Sequence, residues 1–93
     1  MSDPVSGPYE YGFAPRAVRD LEKLPEAVAA ACVEFIAGAL REDPRRLGKP
    51  LLRGQWVGLW SARRGVYRVI YRLDEERHRL QVVHIDHRSR VYR

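Results

Sequence analysis

Apolar residues recur at helical spacing in the first half of the chain and at strand spacing in the second. Residues 26–41 carry the clearest helical period, with Val28, Cys32, Phe35, Ile36, Ala39 and Leu40 on one face. Ahead of them, Val18, Leu21 and Leu24 share a face at spacings of three. Ala14–Pro15 opens that first helix, since the missing proline N–H costs nothing in a first turn. Pro25 separates the two segments, and the pair predicts a helical hairpin with an apolar inner face. Tyr9–Phe13 (YEYGF) alternates aromatic with other residues and predicts a short strand.

Asp43–Pro44 ends the second helix. Residues 43–55 (DPRRLGKPLLRGQ) hold two prolines and two glycines and predict a loop. Strands follow at about 57–63, 66–73 and 79–86. Arg64–Gly65 joins the first two as a hairpin, and the polar run 74–78 joins the last two. The order strand, helix, helix, strand, strand, strand predicts an α+β fold, with a helical hairpin packed on a small, mostly antiparallel four-stranded sheet. Residues 1–8 read as a flexible tail and 9–93 as one domain. In strand 66–73, Tyr67, Val69, Tyr71 and Leu73 face the helices. Val66, Arg68, Ile70 and Arg72 face the other way, where solvent or a ligand is expected.

Composition narrows the class. Ninety-three residues, 45% hydrophobic, suffice for one core. There is no apolar run of about 18 residues, so no membrane span is expected. The start MSDPVSGPYE has neither the basic nor the apolar region of a secretory signal, and the only cysteine, Cys32, lies on the apolar helical stripe. A cytoplasmic location is expected. The net charge of +5 is unevenly spread. Residues 1–44 hold four basic against eight acidic groups, and residues 45–93 thirteen against four. A basic second half points to an anionic partner, nucleic acid first and an acidic protein second.

The chemistry gathers where the strands end. Arg63 and Arg64 sit at the hairpin beside Arg68, the last strand ends in His87–Arg88, and Tyr92 follows. Folded together, these place several guanidinium groups, an imidazole and a phenol around one concave patch. Lys49 and Arg90 complete the basic residues assigned to RNA or phosphate. Guanidinium forks bind phosphate bidentately, and an aromatic ring stacks on an unpaired base. RNA also brings its own nucleophile. A 2′-OH attacks the adjacent phosphate once a base takes its proton, a cation meets the developing charge and an acid protonates the leaving oxygen. His84, His87 and Tyr92 are candidates for proton transfer, and Arg68 and Arg88 for charge. His78 reads as a solvated turn residue and His84 as a satisfied, partly buried one. His87 stands open between a catalytic and a structural role. No carboxylate pair, Cys/His cluster, Ser/His/Asp set or glycine-rich phosphate loop is evident, so neither a metal nor another cofactor is expected.

Residues 58–74 (GLWSARRGVYRVIYRLD) resemble the core signature of the RelE/ParE toxin superfamily. The ending VHIDHRSRVYR (83–93) is similar to that family's C-terminal motif, and FAPRAVRDLEKL (13–24) to its first helix. The resemblance implies a toxin of a type II toxin–antitoxin system. Its fold would be a helical hairpin on a small antiparallel sheet joined by an N-terminal strand. The RelE branch implies a ribosome-dependent, metal-independent endoribonuclease that cuts translated mRNA in the A site and so inhibits translation. Its partners would be the ribosome, mRNA and a cognate antitoxin, whose acidic or amphipathic segment wraps the toxin in a hetero-oligomer. The ParE branch, which inhibits DNA gyrase, is the alternative, as is a catalytically weak antitoxin-binding module. Arg68, Arg88 and Tyr92 match catalytic positions of the RelE branch, with His87 beside them, and Arg63 matches the arginine before the hairpin glycine. Two positions depart from the pattern. Leu59 and Ser61 stand where well-studied members have lysines, leaving the general base unassigned, and Asp86 replaces a glycine.

Overall fold

The period-two segments form one sheet in the computed structural model, which describes residues 7–87. Its strands are β1 (Glu10–Phe13), β2 (Lys49–Pro50), β3 (Trp60–Arg64), β4 (Tyr67–Asp74) and β5 (Arg79–His87), in the spatial order β1-β5-β4-β3-β2. β1 runs parallel to β5, and the other neighbours are antiparallel. The α+β class is as expected, but the sheet has five strands rather than four. The added strand, β2, lies inside the stretch read as a loop. It is two residues long and on the sheet edge, where the missing N–H of Pro50 interrupts no inner ladder.

The helices are α1 (Pro15–Glu22), α2 (Glu26–Phe35, continuing through a π-helical turn at Ile36–Leu40) and α3 (Pro44–Leu47). Pro15 occupies the first turn of α1, and Pro25 stands just ahead of α2. α1 buries Ala17 and packs Leu21 against the core, and Leu24, just past the helix end, packs beside them, at spacings of four and three. Val18, expected inside, is exposed. A small residue at 17 lets the helix approach the sheet closely, and this rotates Val18 outward.

One core joins Cys32, Phe35, Ile36 and Leu40 to Ala62, Tyr67, Val69, Tyr71, Leu80, Val82 and Ile85. The sheet members of this set fall on one face, as alternation requires. Burial pushes the Cys32 thiol up to about 12, so this cysteine is a small apolar filler. The Tyr71 hydroxyl donates to the Pro44 carbonyl at 2.7 Å and fixes α3 against the sheet. Gly48 follows directly, and a side chain there would collide with that hydroxyl. At the other end, the buried Tyr9 donates to Glu75 at 2.9 Å, and Arg45 grips the same carboxylate. Burial raises the Glu75 carboxyl, but the hydrogen bonds from Arg45 and Tyr9 outweigh it and hold the group below its usual value. His78, expected to be solvated, stacks on Tyr9 at 3.7 Å and donates through Nε2 to the Gly7 carbonyl at 2.9 Å.

Two local features set which side chains share a face. Gly65 and Val66 form the β3–β4 turn. Gly65 takes φ 60° at its first position, as a type II′ hairpin needs. In β5 the register shifts: Ile70 pairs with His84 but Tyr71 with Val82, leaving Val83 as a bulge. Beyond it the phase of β5 reverses, so Ile85 faces the helices while His84 and Asp86 face away.

Replacing Tyr71 with Phe removes the shorter of two hydrogen bonds to the Pro44 carbonyl, which keeps that from the Gly48 N–H at 3.2 Å. It is expected to cost about 1 kcal/mol in denaturant unfolding. Because the Cys32 thiol titrates higher when folded, its contribution is complete below the unfolded value, 9.0, and is lost as pH rises toward 12. Wild type should therefore lose stability relative to Cys32→Ala between about pH 8 and about pH 10.5, read from unfolding midpoints.

Candidate functional site

Directly opposed strand residues point to the same side, so the register defines the sheet face turned away from the helices. One row across it runs Lys49, Ser61, Ile70, His84, and the next runs Arg63, Arg68, Asp86. Lys49, Arg63 and Arg68 therefore share a face near the hairpin end of the sheet. Lys49 and Arg63 are exposed, and the Arg68 side chain is 34% exposed. Arg68 Nη2 donates to Asp86 Oδ2 at 3.2 Å.

The patch expected around the hairpin is divided between two faces. Arg64 alternates with Arg63 and turns to the helix side, where its guanidinium lies 5.0 Å from the Phe35 ring. His87 pairs with Tyr67, whose hydroxyl donates to the Ala31 carbonyl, so it too belongs to the helix side. The structure thus gathers Lys49, Arg63 and Arg68, and separates Arg64 and His87 from them. Arg88, Arg90 and Tyr92 lie outside the described residues; the chain reaches them from the end of β5, one residue past Asp86.

This outer face is not wholly open. Ile70, assigned to it, is fully buried. The loop 51–59 folds back on itself through Leu51 N–H to the Leu59 carbonyl and Gly58 N–H to the Leu51 carbonyl. It carries Trp56 over the sheet. The indole stacks on His84, ring centres 5.3 Å apart, and Arg16 of α1 lies 5.4 Å from the same indole. His84 is the satisfied, partly buried histidine expected: its Nδ1 donates to Asp20 Oδ2 at 2.7 Å, and its Nε2 lies 4.0 Å from Asp86 Oδ1. Asp20 also accepts from the Ile85 N–H at 2.9 Å. There β1 has ended and β5 has an open edge, which α1 covers. A cleft of about 90 Å³ at this edge is lined by Asp20, Lys23, His84, Asp86 and His87, among others.

Sequence reading found Lys49 but not its place opposite Ser61, and it missed Trp56 and Asp20. No local pattern marks a contact such as Asp20–His84, which spans 64 positions. Among the described residues, no group of three or more His, Cys, Asp or Glu is placed to hold a metal ion, and no helix is long and apolar enough to cross a membrane.

Comparison with known proteins places this geometry among relatives. The family model described as the ParE toxin of the type II toxin–antitoxin system parDE matches residues 11–92. The chain is 54% identical to Toxin RelE of Mycobacterium tuberculosis over 93 residues, covering 100% of this chain and 93% of that protein. It is 48% identical to Toxin RelG of the same organism over 86 residues, covering 92% and 98%. The fold superimposes on a chain of the toxin–antitoxin complex RelBE2 from M. tuberculosis with a TM-score of 0.85. The two are 46% identical, over 94% of this chain and 99% of that one.

Asp20→Ala strips an acceptor from both Ile85 N–H and His84. It is expected to destabilise by about 2 kcal/mol or more in chemical unfolding. Asp20→Asn, which keeps one acceptor oxygen, should recover part of the loss, and amide exchange at Ile85 should quicken in the Ala variant.

Proposed function

This chain belongs to the ParE toxin family of type II toxin–antitoxin systems, and from that premise we propose that it is a metal-independent endoribonuclease acting on ribosome-bound mRNA. The observation that carries this reading is the convergence of Lys49, Arg63 and Arg68 on one sheet face. They stand beside the strand end that leads into Arg88, Arg90 and Tyr92. Three cations on adjoining rows suit the phosphates of a single strand, and the relatives' names favour the RelE branch.

The chemistry follows from RNA itself. The 2′-OH attacks the neighbouring phosphorus, the 5′-oxygen bond breaks, and a 2′,3′-cyclic phosphate and a free 5′-OH result. Charge accumulates on the non-bridging oxygens as the phosphorus becomes five-coordinate. Arg68 and Arg88 are assigned to that charge, and Arg63, Lys49 and Arg90 to flanking phosphates. Tyr92 is assigned to stacking or orienting a nucleotide. Arginine is a poor base, with a pKa of about 12.5 or above. Proton transfer therefore falls to Tyr92 or a histidine. His87 ends β5, and His84 presents Nε2 toward Asp86 beside Arg68.

The cognate partner is an antitoxin carrying an acidic or amphipathic segment. Its contacts would combine the basic residues with an apolar groove of about 580 Å³ between α2 and the β3–β4 hairpin. Val28, Phe35, Arg64, Val66 and Tyr67 are among the residues that line it. Apolar burial supplies affinity, while the charges speed encounter. A second reading, inhibition of DNA gyrase, is favoured by one observation: Leu59, just before β3, and Ser61 within it stand where well-studied nucleases have lysines.

The test is primer extension on mRNA from translating ribosomes. Wild type should cut within the A-site codon. Arg68→Ala, by removing one charge-stabilising donor, should slow cleavage about a hundredfold or more. Equal cleavage by both proteins, or blocked supercoiling with intact mRNA, would overturn the assignment.

A further inference from the structure

Asp86 stands in a position whose chemistry runs against its surroundings. In the row Arg63, Arg68, Asp86, two guanidinium groups oppose each other directly across β3 and β4. Like charges in that arrangement are unfavourable unless a counter-charge is near. Asp86 supplies it from β5, through one contact, Arg68 Nη2 to Oδ2 at 3.2 Å. Both side chains are partly exposed, 34% and 48%. An ion pair of this kind is weak, and a phosphate that engages two guanidinium nitrogens binds more strongly. The carboxylate cannot easily leave the face. The Val83 bulge sets its direction, and His84, clamped by Asp20 and Trp56, stands beside it.

We infer that Asp86 is an internal competitor for the anion site of Arg68, holding the guanidinium in the free protein and yielding it to a nucleic-acid phosphate. The carboxylate thereby sets the affinity of the site as well as neutralising it. This rests on the assignment of Arg68 to phosphate. A positioning role for Asp86 would have the opposite consequence, since removing a support weakens binding.

The experiment measures binding of the full chain to a single-stranded 2′-O-methyl RNA, which cannot be cleaved, by fluorescence anisotropy at fixed salt. Asp86→Asn should bind about two- to fivefold more tightly than wild type. Glu76→Gln removes the same charge in the β4–β5 turn, at the opposite end of β4. It should change affinity less, which separates local competition from net charge. In an Arg68→Ala background, Asp86→Asn should give no gain beyond that of Glu76→Gln in the same background. Unchanged or weaker binding by Asp86→Asn overturns the inference, and so does a gain matched by Glu76→Gln or retained without Arg68. If Arg68→Ala weakens binding and Asp86→Asn does not strengthen it, the phosphate site stands and only the competitor fails. If Arg68→Ala leaves binding unchanged, both fail together.

Discussion

β4 is hydrogen-bonded on both sides, and its segment Val69–Ile70–Tyr71 has no exposed surface. Three consecutive strand residues point alternately up and down, so complete burial requires cover on both sheet faces. The helical hairpin covers one. On the other, loop 51–59 brings Trp56 onto His84, the neighbour of Ile70 across the sheet. Lys49 belongs to the short edge strand from which that loop departs. Arg68 and Arg72 flank the buried segment, so the charged groups of this face are displaced toward the strand ends. The basic face is what remains once the centre of the sheet has been closed.

The same constraint sorts the arginines. Arg16, Arg41, Arg45 and Arg64 lie over the rings of Trp56, Tyr11, Trp60 and Phe35. Arg45 also grips Glu75. These guanidinium groups cover apolar surface while keeping their charge in water. The basic second half of the chain is therefore not one patch. Part of its charge seals the periphery of the core, and part collects on the outer sheet face beside the end of β5.

Periodicity in the sequence carried the architecture because burial imposes it directly. Cys32, Phe35, Ile36 and Leu40 repeat at helical spacing, and Tyr67, Val69 and Tyr71 repeat every second residue. The strand of Lys49–Pro50 was not legible, since two residues hold no period and glycines and prolines surround it. Ile70 looked like a surface position because alternation puts it on the outer face, and nothing local marks the loop that brings Trp56 onto its cross-strand neighbour His84. Arg63 and Arg64 look equivalent as neighbours in a string, yet strand alternation places them on opposite faces. The Asp20 clamp on His84 depends on where β1 happens to end relative to β5, which only the assembled sheet determines.

The bulge at Val83 has a consequence for what β5 can tolerate. Before it, Leu80 and Val82 fill the core; after it, Ile85 does, because one surplus residue has advanced the phase. Flattening the bulge with Val83 kept in the ladder would turn an imidazole and a carboxylate into the apolar interior and turn Ile85 out to solvent, whereas deleting Val83 itself would restore plain alternation and leave both faces as they are. The sign of charge beside Arg68 thus depends on the bulge holding its shape as much as on the residues of the strand. An extra residue in either regular arm of β5 would rewrite the faces beyond it, while the bulge is the one place where the strand can lose a residue and keep both.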